Sequence, residues 1–189
     1  MSQFTKKAIQ KAFLDSILKK SFDKITVKDI VEECEINRNT FYYYYKDIYD
    51  LMEDIFIIET QKELEKAQEL SSCNEAFLGI AAYIMRYKAS ISHIYYSKCR
   101  DIFVGYLFTM SERILESYIE RLDLASQIEE KDKKFVCDFY RFSLVGMMNN
   151  WIKNGMEEDE EQFIKKMCDI FENTVEAALR GLTEGKKPV

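Results

Sequence analysis

Between Arg38 and Lys46 the sequence reads RNTFYYYYK, a run whose side chains suit nucleic-acid recognition. A guanidinium such as that of Arg38 can take guanine bidentately, and an amide such as that of Asn39 can take adenine. Tyrosines such as Tyr42 and Tyr43 supply rigid hydroxyls for phosphate and apolar ring edges for a thymine methyl. Lys46 adds a cation at the end of the run. Catalysis finds no such set. The 189 residues include a single histidine, His93, and show no glycine-rich phosphate loop, no nucleophile elbow and no HExxH or paired-cysteine site. An enzyme is therefore not expected. The lone histidine and the five scattered cysteines (Cys34, Cys73, Cys99, Cys137 and Cys168) imply no metal site and no cofactor. They fit the reduced thiols of a cytoplasmic protein.

The readers must share one face of a helix. On a helix opening at Arg38, Phe41 and Tyr45 fall four apart and are expected to pack inward against Ile30 and Leu14. That turns Arg38, Asn39, Tyr42 and Tyr43 outward, with Thr40 and Tyr44 on the flanks. Asn37 is a good N-cap for this helix. The helix before it starts after Thr26, with Asp29 placed for a capping box, and ends near Cys34. Glu35 and Ile36 leave a turn of about three residues, the geometry of a helix-turn-helix. Glu35 stands where glycine is common in such turns, so a left-handed residue there would be mildly strained. Thr26 and Lys28 lie at the start of the preceding helix, where phosphates are usually met. A different reading makes the tyrosines a protein-binding surface, and the chain a helical adaptor that does not bind DNA. Steep salt dependence would separate the two.

Apolar residues recur at i, i+3 and i+4 through most of the chain, and one proline and six glycines leave few breakers. The fold class is all-α, with about nine helices. The first is expected over residues 3–20, with Ile9, Phe13 and Ile17 in line beside Phe4, Ala8 and Ala12. A fourth runs from near Asp47 to about Leu70, and SSCN (71–74) reads as a linker. Further helices are predicted at about 75–89, 91–98, 100–123, 131–154 and 159–181, followed by a frayed tail, TEGKKPV. No apolar run is long enough to span a membrane. The net charge of −6 is uneven. Residues 1–48 hold nine Lys or Arg against seven acids, and the remainder eighteen against twenty-six. A mildly basic module on an acidic body is compatible with local phosphate contact.

Residues 25–51, ITVKDIVEECEINRNTFYYYYKDIYDL, resemble the N-terminal signature of the TetR family of bacterial transcriptional regulators. TVKDIVEECEIN matches its first part and TFYYYYKDIYDL its second. Glu35 stands for the family's usual glycine, Tyr44 for its frequent histidine and Ile48 for its frequent lysine. The last change removes a phosphate contact and shifts that role toward Lys46. FYRFSLVGMMNNWIKNGM (139–156) looks like a dimerisation segment of one branch. The resemblance implies a DNA-binding domain over 1–48, reading double-stranded DNA with its third helix. It also implies an effector-binding and dimerisation domain over 49–189, and a dimer that acts on a pseudo-palindromic operator. Repression relieved by a small-molecule effector is the expected outcome.

For the effector, the aromatic-rich segment 81–108 offers Tyr83, Tyr87, Phe103 and Phe108, with Arg86, His93 and Tyr96 as polar candidates for a mostly apolar cavity. Ordinary core packing would account for the same residues. For the homodimer, the expected face comprises Phe139, Phe142, Gly146 and Trp151 of the penultimate helix with Phe163, Met167, Ile170 and Phe171 of the last. Their apolar surface exceeds what one helix pair can cover, and Gly146 permits close approach.

Overall fold

The computed structural model describes residues 3–68 and 72–184, and among them there are nine α-helices and no strand. They are α1 (Gln3–Lys19), α2 (Val27–Glu33), α3 (Arg38–Tyr44), α4 (Ile48–Gln68), α5 (Cys73–Arg86), α6 (Lys88–Tyr95), α7 (Arg100–Glu120), α8 (Glu130–Lys153) and α9 (Glu160–Glu184). Short 3-10 turns at Phe22–Lys24 and Ala125–Gln127 precede α2 and α8. No described helix is long and apolar enough to cross a membrane.

Local chemistry sets most helix ends. Side-chain oxygens of Thr26, Asn37, Asp47, Ser72 and Asp159 each accept a backbone N–H three residues on, satisfying a donor that has no partner inside the helix. The Ser72 cap starts α5 at Cys73, so the expected linker is shorter than 71–74, and its Ser71 lies outside the described residues. Helix α6 occupies 88–95 rather than 91–98. The expected end of the fourth helix at Leu70 and the last five residues of the tail also lie outside. Two helices close with left-handed residues. After α2, Glu35 has φ 52°, and Ile36 N–H donates to the Val31 carbonyl at 3.0 Å. After α8, Gly155 has φ 79° and Met156 φ 56°, and Met156 N–H donates to the Trp151 carbonyl at 3.0 Å.

The chain forms two compact units, residues 1–60 with 87–106, and residues 61–86 with 107–189. This division by packing does not fall at residue 48. The first part of α4 stays with the N-terminal helices because Asp54 is bonded to Lys6 and Gln10 of α1. Residues 87–106 join them because Tyr106 donates to the Glu53 carbonyl at 3.2 Å and stacks on Phe56.

In the first unit the core gathers Ile9, Phe13 and Ile17 with Ile30, Phe41, Leu51 and Met52. Phe4, Ala8 and Leu14 do not belong to it, for all three are exposed. Leu14 follows buried Phe13 and is therefore turned about 100° from it around the helix. Helix α6 packs on α1, and His93 Nδ1 donates to the Ile17 carbonyl at 2.7 Å. That carbonyl lies in the last turn of α1, where intrahelical donors run out. In the second unit α5 and α8 both pack on α9, whose Phe171, Val175 and Leu179 are fully buried.

Candidate nucleic-acid interface

Helices α2 and α3 pack together around the turn at Glu35. Thr26 and Asp29 make a complete capping box at the start of α2. The Thr26 backbone N–H donates to the Asp29 carboxylate at 2.8 Å, and Asp29 N–H donates to the Thr26 hydroxyl at 3.2 Å. Lys20 pairs with the same carboxylate at 2.9 Å. Its hydrogen bond, with those from Thr26, lowers the Asp29 pKa to about 2. The Thr26 hydroxyl is thus engaged in the cap, and Lys28 stands exposed and 3.7 Å from Glu32.

On α3, Phe41 is fully buried and Tyr45, just past the helix, is 3% exposed. The other residues follow from the 100° step between neighbours. Arg38, Asn39, Tyr42 and Tyr43 are exposed, and Thr40 and Tyr44 are half-buried. The Thr40 hydroxyl and N–H both bond the capping Asn37 carbonyl oxygen, which leaves it little freedom to reach outward. Tyr42 and Tyr43 are 54% and 64% exposed, unusual for rings of this size. They meet Phe41 and Tyr44 respectively in edge-to-face contact, with centroids 5.6 and 5.0 Å apart, so the rings are braced although exposed. Neither Arg38 nor Asn39 has a side-chain partner among the described residues. Lys46 is exposed, and its backbone N–H is fixed by the Asp50 carboxylate at 2.7 Å.

The inward partner of Tyr45 differs from the sequence expectation. Leu14 is 41% exposed, and the Tyr45 hydroxyl donates instead to Asp54 Oδ2 at 2.7 Å. Lys6 Nζ and Gln10 Nε2 reach the same carboxylate at 2.9 and 2.8 Å. Burial pushes the Asp54 carboxyl up, but the hydrogen bonds from Tyr45, Lys6 and Gln10 together outweigh it and hold it below its ordinary value. A buried phenol needs an acceptor, and that requirement is the signal by which the sequence could have shown it. Which acid supplies the acceptor depends on how α4 lies against α1 and α3.

This geometry agrees with what comparisons of the whole chain find. Residues 11–55 match the family described as bacterial regulatory proteins, tetR family, and residues 71–173 match a region described as transcriptional regulator C-terminal region. The chain belongs to the TetR family. Among solved structures, the dihydroxyacetone kinase operon activator DhaS is similar in fold, with a TM-score of 0.68 at 20% identity over 95% of this chain and 98% of that one. A TetR transcriptional regulator from Streptococcus agalactiae gives a TM-score of 0.65 at 19% identity, covering 89% and 93%. NalD, titled the secondary repressor of a multidrug efflux pump in Pseudomonas aeruginosa, gives 0.57 at 12%, covering 95% and 98%. No curated protein matches. The chain is thus a TetR-family transcription regulator with a helix-turn-helix DNA-binding domain at its N-terminus.

The seven effector candidates are not gathered in one unit. Tyr87, His93, Tyr96 and Phe103 lie in the first, and Tyr83, Arg86 and Phe108 in the second. His93 is committed to the Ile17 carbonyl, and Phe103 is 3% exposed against Phe56, so both serve packing. Phe108 meets the Phe142 ring edge at 5.1 Å, while Tyr87 and Tyr96 are exposed. A cavity of about 450 Å³ in the second unit is lined instead by Ile119, Glu120, Glu130, Lys133, Lys134 and Cys137, among others. None of the seven takes part in it.

The expected dimer face divides as well. Trp151, Phe163, Met167 and Phe171 are buried within the protomer. Trp151 stacks on Phe163 at 5.5 Å and donates to the Glu158 carbonyl at 3.1 Å, which folds the α8–α9 connection onto itself. Phe139, Phe142 and Ile170 remain 60–62% exposed, with Phe135 at 64%. A Cβ placed on Gly146 would meet nothing within 4 Å.

Proposed function

We propose that the protein is a homodimeric, cytoplasmic repressor that reads a pseudo-palindromic operator with α3 and is released by a small-molecule effector. The observation that carries the DNA reading is the outward face of α3. Arg38 and Asn39 stand exposed, without side-chain partners among the described residues, beside two braced, exposed tyrosines. A guanidinium and an amide held on a short helix whose other face is buried are equipped for base edges, and Tyr42, Tyr43 and Lys46 for phosphates. Thr40 and Tyr44 on the flanks of α3, with Thr26 and Lys28 at the start of α2, complete the proposed contact set.

The dimer reading rests on Phe135, Phe139 and Phe142, spaced i, i+4 and i+7 on α8, with exposed Ile170 on α9. A dimer reading a pseudo-palindrome sets its two recognition helices in successive major grooves, roughly 34–36 Å apart. The effector reading rests on the aromatic and polar groups that the second unit contributes from this segment, Tyr83, Arg86 and Phe108. Repression is the sign proposed here. The similar folds include one titled an activator and one titled a repressor, so transcription from the bound promoter must decide it.

The test is fluorescence anisotropy with duplex from the chain's own upstream region, against scrambled duplex, over a salt series. Selective, salt-sensitive binding with two protomers per site is expected. If a genomic selection for bound fragments then yields no selective duplex at any salt, the DNA reading fails. The exposed tyrosines would in that case belong to a protein-binding adaptor.

A further inference from the structure

Helix α3 is seven residues long, and within it only Phe41 is buried. A rod held at one apolar point can rock about that point, and base readout tolerates little rocking because bidentate hydrogen bonds are directional. The turn at Glu35 and the Asn37 cap hold the N-terminal end. The C-terminal end is held by a hydrogen-bonded cluster. Tyr45 closes the helix, its backbone N–H donating to the Phe41 carbonyl at 3.0 Å, and its hydroxyl donates to Asp54 of α4 at 2.7 Å. Lys6 and Gln10 of α1 grip the same carboxylate, and Lys6 Nζ also lies 5.7 Å from the Tyr45 ring centroid. One carboxylate therefore collects a phenol, an ammonium and an amide from two helix neighbours and fixes the end of the helix that carries Tyr42 and Tyr43.

We propose that Asp54 is a positioning residue for operator reading, setting the angle of α3 against α1 and α4 through the Tyr45 hydroxyl. This rests on the reading that α3 contacts DNA. Asp54 itself touches no base or phosphate in this proposal. Lys6 is a structural cation here, paired inside the module rather than offered to phosphate. The consequence is a split between two kinds of binding. Non-selective attachment depends on the number of cations near phosphate and survives small rotations of α3, whereas selective binding requires Arg38 and Asn39 to meet particular base edges.

Tyr45→Phe removes one oxygen and keeps the ring against Phe41. Asp54→Asn keeps the shape and removes the charge. The measurement compares affinities for the operator and for scrambled duplex in wild type, each single variant and the double variant, alongside thermal unfolding. Loss of one charge-assisted hydrogen bond at such a joint should lower operator affinity about tenfold. Scrambled-duplex affinity and the salt slope should stay unchanged, and the double variant should lose no more than the worse single one, as two residues acting through one bond require. Equal losses on both duplexes, tracking the loss of stability, would make the cluster merely structural and overturn the proposal. Additive losses in the double variant, or no loss in either single one, would overturn it too. Those outcomes leave the DNA reading standing. If wild type itself bound no duplex selectively, the reading of α3 would fall and this proposal with it, and the wild-type measurement alone distinguishes that case.

Discussion

Arg38 and Lys46 illustrate how two cations eight residues apart can do different work. Arg38 opens α3 with no partner for its guanidinium among the described residues, so it can be aimed at a base edge, whereas Lys46 sits beyond the helix where the chain turns toward α4. Replacing Arg38 by Ala is expected to cost about 1–3 kcal/mol of operator binding and to relax preference at one base position per half-site. Lys46→Ala should instead weaken operator and scrambled duplex alike and reduce the salt slope by about one per protomer. Anisotropy over a salt series reads both, and a change of base preference in the Lys46 variant would exchange their roles. Glu35 affects stability through its backbone conformation. At φ 52° it bears the crowding that a side chain meets in the left-handed region, of order 1–2 kcal/mol, and glycine would remove it. Part of that gain is lost to the greater freedom of unfolded glycine, so Glu35→Gly should stabilise by about 0.5–1 kcal/mol. A melting temperature raised by about 1–4 °C would show it, and an unchanged or lower one would mean that Glu35 makes a compensating contact.

Helix α2 depends on its first turn more than its length suggests, since seven residues give it few internal bonds. The Thr26–Asp29 box, tightened by Lys20, supplies what is missing. The folded pKa of Asp29 is about 2, against an ordinary 3.8, so the unfolded chain binds the proton more readily. Its contribution is therefore complete above about pH 4 and is lost as the pH falls through 2. The stability gap between wild type and Asp29→Asn should be level at neutral pH and close over that acid window. A gap that persisted at pH 2 would place its origin elsewhere. Caps of this kind were legible in the sequence because donor and acceptor lie three residues apart, and Thr26, Asp29, Asn37 and Glu35 all behave as their positions imply. The partner of Tyr45 was not, because Leu14 and Asp54 are both reachable until the register of α1 against α4 is known. Nor could one stripe of apolar residues reveal which members face inward. Trp151 and Phe139 look alike in sequence, yet one is folded onto Phe163 and the other projects from α8.

The proposed assembly rests on that remaining face. Phe135, Phe139 and Phe142 on α8 and Ile170 on α9 are all at least 60% exposed, and rings of this size contribute strongly to interfaces when covered. Phe142 is a poor probe, because it meets Phe108 edge-on and Arg141 lies 5.5 Å from its ring centroid. Arg141 is itself paired with Glu112 and Asp138 at 2.7 and 2.6 Å. Changing Phe142 would disturb that cluster within the protomer. Among the described residues Phe139 has a ring contact only with adjacent Tyr140, and it is 62% exposed, so Phe139→Lys should leave the protomer folded. In a dimer built on this face the same change places two ammonium groups near a two-fold axis, because each patch meets its own copy. Sedimentation should then show a monomer at concentrations where wild type is a dimer, with helical content preserved. Operator affinity should fall by about a hundredfold or more, since each recognition helix then binds its half-site without the effective concentration that linkage provides. Scrambled-duplex binding by the individual modules should change far less. A Phe139→Lys protein that remained dimeric and bound the operator as wild type does would move the two-fold axis off this face.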